Sequence, residues 1–285
     1  MLLITKYLTM KYSVVTTFNQ SGYKQYGQRM IQTFLAQWPA EVDLVVYAEN
    51  CAVTETAPNL TVRDISVCTD LVAFKQRWQG VPKANGDILS DPIRSQRKDS
   101  AKGFKWNAIR FAHKTYSIFH CAQNVSTDVL IWMDADTVCH SKITIEDLDR
   151  LCEPQYELCF LGRRKKFSEC GLYSMKLGTK GIKRFLREFQ RMYDDADNGI
   201  FLLDEWHDSF VFDAVRKNIP GLIEFDWAAK LDDLRSSKFN SPGEGHPLIN
   251  SDWGAYLDHL KGARKNIGRS KREDLKVIRT EAYWQ

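Results

Sequence analysis

Two aspartates one residue apart, Asp134 and Asp136, follow a buried-looking run in "VLIWMDADTVCH" (129–140), where five apolar or aromatic residues precede the first carboxylate. A turn after a core strand would explain them. So would one hard divalent ion, because carboxylate oxygens suit magnesium or manganese, which keep phosphate oxygens among their other ligands. Asp-X-Asp alone occurs by chance in many chains, so a further ligand is needed. The late stretch "DHLKGARKNIGR" (258–269) offers His259, then Lys261, Arg264, Lys265 and Arg269. A neutral imidazole can complete a metal's shell, and the cations suit phosphate groups.

A second acidic cluster, "FLLDEWHDSFVFDAV" (201–215), sets Asp204, Glu205 and Asp208 at the start of a helical pattern. The helix dipole and capping favour acids there without any chemistry, and Asp204 could be no more than the cap. Trp206 and His207 between the carboxylates add a stacking face and a hydrogen-bonding group, a composition suited to sugar contact. Glu205 or Asp208, or Asp204 beside them, could take a proton from an attacking hydroxyl or serve as a polar group on the opposite face of the reacting centre, and the two roles stay open. In "SECGLYSMK" (168–176), Glu169 and Gly171 open a central strand, and Gly171 would admit a ligand closely. Cys170 has no evident base and reads as a buried thiol.

The elements that must carry these groups alternate. "YSVVTTF" (12–18), "DLVVYAE" (43–49) and "LTVRDI" (60–65) read as strands rich in β-branched residues. Between the first two, Tyr26, Met30, Ile31, Phe34, Leu35 and Trp38 share a helical face that Pro39 ends. Residues 80–103 read as a long polar loop. Helical spacing resumes over 104–122, ahead of the aspartate strand. Further on come a short helix near 145–151, strands near 158–162 and 171–175, an amphipathic helix from Ile182 to Tyr193, and another from the second acidic cluster. This rhythm predicts an α/β fold with a mostly parallel sheet, whose ligands sit beyond the carboxyl ends of the strands. Asp134 and Asp136 stand at that edge.

The 285 residues are 44% hydrophobic and 27% charged, ordinary for a globular chain. Seven scattered cysteines, none in Cys-X-X-Cys spacing, exclude a disulfide scaffold and suit reduced thiols. No apolar run is long enough for a membrane helix, and the first residues lack a cleavage pattern, so a cytoplasmic protein without a membrane span is expected. Within a net charge of +4, the windows 94–105, 163–166 and 259–272 concentrate basic residues against the single acid Asp99. That concentration suggests a polyanionic or phosphate-bearing partner.

"IWMDADT" with a C-terminal His-X-Lys-Gly loop resembles the metal-dependent, nucleotide-sugar glycosyltransferases of GT-A fold. Glycogenin-like members carry a similar late histidine followed by a lysine on the diphosphate. "KWNAIRFAHKTYSI", "SECGLYSM", "EWHDSFVFDAVR" and "YLDHLKGARKNIGRS" resemble a group of uncharacterised bacterial and phage glycosyltransferase-like proteins, over residues 100–285. The resemblance implies one GT-A-like, Rossmann-like domain over 1–285. Residues 10–137 would bind the nucleotide-sugar, taken as a UDP-sugar, and 138–285 the acceptor and the metal and phosphate loop. It implies Mn2+ or Mg2+ on Asp136 and His259, with Asp134 near the ribose or on the metal and Lys261 on the phosphates. Lys265 and Arg264 would assist, although the Lys-Pro-Trp that ends the glycogenin-like loop is absent. By the same resemblance Thr16, Thr17 and Asn19 face the nucleobase, Phe18 or Tyr23 stacks on it, and Asp64 is a further nucleoside candidate. Lys105 and Arg110 are phosphate candidates, and Glu169, Gly171, Trp206 and His207 face donor or acceptor sugar. His113, His120 and His140 read as structural, with His140 near enough to Asp136 to be tested.

For the acceptor, the basic windows favour a hydroxymethylated base in double-stranded phage DNA, reached by base flipping. A bacterial surface glycan or its lipid-linked precursor is the alternative. A sugar nucleotidyltransferase would need a glycine- and arginine-rich loop after the first strand, which "TTFNQSGYKQYGQ" does not supply. A nucleic-acid-binding protein without catalysis would leave the strand-end aspartates unexplained.

Overall fold

The computed structural model describes residues 10–99, 102–163, 166–231 and 245–285. Seven strands form its main sheet: β1 (Tyr12–Asn19), β2 (Asp43–Glu49), β3 (Leu60–Asp64), β4 (Val129–Met133), β6 (Leu158–Leu161), β7 (Glu169–Lys176) and β8 (Glu224–Asp226). Their order across the sheet is β3-β2-β1-β4-β7-β6-β8. The β3-β2, β2-β1, β1-β4 and β6-β8 pairings are parallel; only β7 runs against its two neighbours. The expected α/β architecture with a mostly parallel sheet is therefore what the chain adopts. Strand order reverses between β1 and β4, and an open sheet offers its ligand crevice at the carboxyl ends of such a pair. Asp134 follows β4 there, and Asn19 ends β1.

Strand residues alternate between two cores, as the period of two requires. Val15, Tyr47, Leu130 and Trp132 face α3 (Thr69–Trp78), α4 (Ala108–Asn124), α6 (Lys180–Asp194) and α7 (Asp208–Arg216). Val14, Val46, Ile131 and Met133 face α2 (Gln28–Gln37), α5 (Ile145–Leu151) and the C-terminal segment. α2 continues a helical run that starts with α1 (Gln20–Gly22) and passes through a π turn at Tyr23–Gly27.

Three expectations change. The long loop after Gly80 is a chain of short 3-10 turns, at Pro82–Ala84, Ile88–Ser90, Arg94–Gln96 and Gly103–Trp106. The helix expected from Phe104 begins at Ala108, where the Asn107 side chain accepts from the Arg110 amide and caps it. The tail, expected to be turn-rich, is anchored by buried polar groups. Asp258 accepts from the Ser270 amide, the Ser270 hydroxyl and the Tyr283 hydroxyl at 2.6–2.7 Å. Trp253 and Trp284 are buried in the same segment.

Among the described residues, no helix is long and apolar enough to cross a membrane. All seven cysteines are free, and all but Cys51 are buried.

Candidate metal centre and its surroundings

A two-stranded ribbon joins the ends of the site. Three-residue β5 (Thr137–Cys139) pairs antiparallel with β9 (Leu257–His259), setting Thr137 opposite His259, and the Leu260 amide donates to the Asp136 carbonyl at 2.8 Å. Residues 123 positions apart thus meet: His259 Nε2 lies 3.1 Å from Asp136 Oδ1 and 3.6 Å from Asp134 Oδ2. One ligand atom from each of Asp134, Asp136 and His259 falls within 4.8 Å of the others.

Each group is held from behind. Asp134 Oδ1 accepts from Trp132 Nε1 at 2.7 Å and Lys114 Nζ at 2.9 Å, which leaves Oδ2 on the His259 side. Asp136 Oδ2 takes the Lys265 ammonium at 2.8 Å, and that ammonium also sits 5.1 Å from the Tyr26 ring centre. Burial alone would raise the Asp136 pKa, but the charges and hydrogen bonds of His259 and Lys265 outweigh it and hold the carboxyl well below its usual range. Burial works against charging His259, yet Asp136 and Asp134 raise it. Two carboxylates and an imidazole around one point, with an ammonium drawn onto them, form a donor set that fits a hard or borderline divalent ion.

Gly171, expected to admit a ligand closely, makes room for the imidazole: a Cβ there would lie 2.4 Å from His259 Cε1 and 2.7 Å from Nδ1. Glu169, expected to face sugar, is 2% exposed, with Lys261 Nζ on its two oxygens at 2.9 and 2.7 Å and Arg163 at 3.5 Å. Burial would raise its pKa, but Lys261, Arg163 and His246 hold it well below the normal carboxyl value.

Lys114, which the sequence pattern hides inside a helix, connects the two acidic clusters. Its ammonium reaches Asp134, Asp208 Oδ2 at 2.7 Å and the Cys170 carbonyl, above the Trp132 ring. Burial would strip the proton from this lysine; the two aspartates keep it on and push its pKa up. Lys114 lies three residues before Ser117 on the inward face of α4, a position that helical spacing alone could have flagged.

The second cluster is partly rearranged. His207, not Asp204, caps α7, and its Nε2 meets Glu205 Oε2 at 2.9 Å. Lys105 Nζ donates to Glu205 Oε1 at 2.7 Å and to Asp99 Oδ2 at 2.8 Å. Burial opposes, but His207 and Lys105 lower the Glu205 pKa; burial likewise opposes, but Lys114 lowers that of Asp208. Trp206 is fully buried under the Arg94 guanidinium and offers no open face for a sugar; Asp204 is exposed.

Other expected contacts fall elsewhere. Arg264 is fully buried, bonded to Asp274 and the Gly245 carbonyl, and braces the loop that carries His259 instead of reaching a phosphate. Phe18 is 5% exposed against Gly27 and Tyr23, and Tyr23 itself is buried with its hydroxyl on Glu55, so neither is open to a base. Thr17 donates to the Tyr47 carbonyl, Asn19 caps α1, and Thr16 is buried. Asp64 caps a 3-10 turn beside a 220 Å³ cavity at the end of β3, three strands or roughly 14 Å from β4. Arg110 is exposed on the first turn of α4. His140 stacks on Tyr283 at 4.1 Å, and burial pushes its pKa down to about 4. Burial pushes the Cys170 thiol up.

Part of each basic window is paired internally, Arg94 with Asp91, Arg97 and Lys105 with Asp99, Arg163 and Lys261 with Glu169, and Lys265 with Asp136, while Lys98, Lys102, Arg269, Lys271 and Arg272 are exposed. Arg164 and Lys165 lie outside the described residues.

No family model and no curated protein matches the chain. Among solved structures it is similar to an apo structure of WbbM, a bifunctional glycosyltransferase, at 11% identity and a TM-score of 0.44, covering 78% of this chain and 39% of that one. It is also similar to mouse xyloside xylosyltransferase 1 in its apo form, at 11% identity and 0.41, covering 75% and 84%. A third is an active-site mutant of LgtC, at 10% and 0.44, covering 74% and 72%. The chain spans about 39% of the WbbM chain.

Proposed function

We propose that this chain is a metal-dependent glycosyltransferase that moves a sugar from a nucleotide-sugar to an acceptor hydroxyl. The observation that carries the reading is the convergence of Asp134 and Asp136 with His259, 123 residues further on from Asp136, at the carboxyl edge of the β1–β4 switch point. Those three residues would hold Mn2+ or Mg2+. When bound, such an ion offsets negative charge that builds on a leaving diphosphate. Residues 10–137 then serve the donor, and 138–285 the acceptor and the cation loop.

The chain's own groups divide the rest of the work. Lys114 keeps Asp134 turned so that one oxygen faces the site, and keeps Asp208 charged. Lys265 and Lys261 stand at the cation site and at Glu169, within the loop after β9, where a donor diphosphate would draw them. Glu205 and Asp208 both carry ammonium partners and depressed pKa values, which makes either a weak proton acceptor as it stands. Asp204, exposed beside them, is the remaining carboxylate of the three.

For the acceptor, the exposed Lys98, Lys102, Arg269, Lys271 and Arg272 suit a hydroxymethylated base in DNA, and a surface glycan or its lipid-linked precursor is the alternative carried into the test. The test is mass spectrometry of glycan, lipid-linked and hydroxymethylated-DNA acceptors incubated with a panel of nucleotide-sugars and Mn2+, with EDTA as control. EDTA-sensitive sugar transfer supports the reading; transfer or nucleotide release indifferent to EDTA, or none with any donor, defeats it.

A further inference from the structure

His259 is 1% exposed, and only one of its ring nitrogens has a partner: Nε2 meets Asp136, while Nδ1 is enclosed and meets none. A buried imidazole nitrogen in that condition calls for an explanation. Gly171 lies between this edge of the ring and Glu169, since a Cβ built there would be 2.4 Å from Cε1, 2.7 Å from Nδ1 and 3.3 Å from Glu169 Oε1. A carboxylate oxygen of Glu169 and a ring nitrogen of His259 lie within 4.8 Å, so a shift of no more than about 2 Å brings that pair to hydrogen-bond length.

Glu169 is held the other way by Lys261, which bonds to both of its oxygens. Glu169, His246 and His259 together have the composition of a second metal trio. With Lys261 and Arg163 already balancing the carboxylate, a divalent ion there would have to displace two cations. Accepting one N–H from His259 requires that Lys261 leave and that the carboxylate move towards the ring.

Metal-ligating histidines commonly donate their other ring N–H to a carboxylate, which fixes the tautomer and the aim of the ligating nitrogen. We propose that Glu169 is such a positioning residue, accepting Nδ1–H of His259 and aiming Nε2 at the ion, and that Lys261 competes for the same carboxylate until a donor diphosphate draws it off. The inference rests on the cation site proposed above. It makes Lys261 a brake on ion binding in the free protein and gives Glu169 a role that contact with sugar would not.

The experiment is an electron paramagnetic resonance titration of the 285-residue chain with Mn2+ alone, alongside thermal unfolding. Lys261→Met tightens Mn2+ binding, and Glu169→Gln added to Lys261→Met, where the carboxylate is released, weakens it about tenfold or more, a change of sign that a merely structural role would not produce. A wild-type chain that binds no Mn2+ overturns the cation site itself. Binding that His259→Ala abolishes, while Glu169→Gln leaves that of the Lys261→Met chain unchanged, overturns this inference alone. Should Glu169→Gln not fold, Lys261→Met decides: affinity equal to or below wild type overturns the competition.

Discussion

Gly171→Ala is the most informative single change, because one methyl group separates two accounts of the same glycine. Its Cβ would stand 2.4 Å from Cε1 and 2.7 Å from Nδ1 of His259. Ordinary contact for these atoms begins near 3.4 Å. The imidazole is fully enclosed, so it must back away by about 1 Å or the β7 backbone must yield. Overpacking of this kind costs about 1–3 kcal/mol. An imidazole moved that far no longer sits 3.1 Å from Asp136, and a displacement of about 1 Å in a preorganised site can cost on the order of a hundredfold. Mn2+ titration and thermal unfolding of the variant check both numbers. A Gly171→Ala protein with unchanged melting and unchanged Mn2+ affinity, but a raised KM for the sugar donor, would refute the reasoning and return the glycine to a sugar-facing role.

Protons compete with the ion. His259 holds its proton above the usual 6.5, so its pairing with Asp136 stabilises the metal-free protein fully below that value and loses strength as pH rises through the raised one. Ion binding needs the neutral ring, so Mn2+ affinity climbs by up to roughly tenfold per pH unit over the same window and then levels, as titrations between pH 6 and 9 would record. Lys114→Met leaves Asp208 buried with its cation gone and costs about 3–5 kcal/mol in urea unfolding. Arg264→Met costs a similar amount by taking the guanidinium from fully buried Asp274, whereas Lys265→Met, at a part-exposed ammonium, changes stability by less than about 1 kcal/mol and acts on Mn2+ affinity instead.

What can be read in the sequence follows from periodicity. β1, β2 and β3 announce themselves through β-branched runs, and α6 through Ile182, Phe185, Phe189 and Tyr193 at helical spacing. α3 is harder to see although Leu71, Phe74 and Trp78 share a face, because lysine, glutamine and arginine fill the intervening positions. β5 and β9 are three residues each, too short for any period, so only chemistry points to the ribbon that joins Asp136 to His259. Burial is the least legible property. Phe18, Trp206 and Arg264 have the residue types of ligand contacts, and only tertiary packing shows them enclosed. Lys114 is the converse case, a lysine that its helix turns inward because two carboxylates await it.

The central claim is that one divalent ion sits between Asp134, Asp136 and His259. Crystals of the chain grown with Mn2+ and a nucleoside diphosphate, with data collected at the manganese absorption edge, test it most directly. The account predicts a single strong anomalous peak in contact with all three side chains and with phosphate oxygens. A peak elsewhere, or an intact Lys265–Asp136 pair with the diphosphate bound and no manganese beside it, would contradict it.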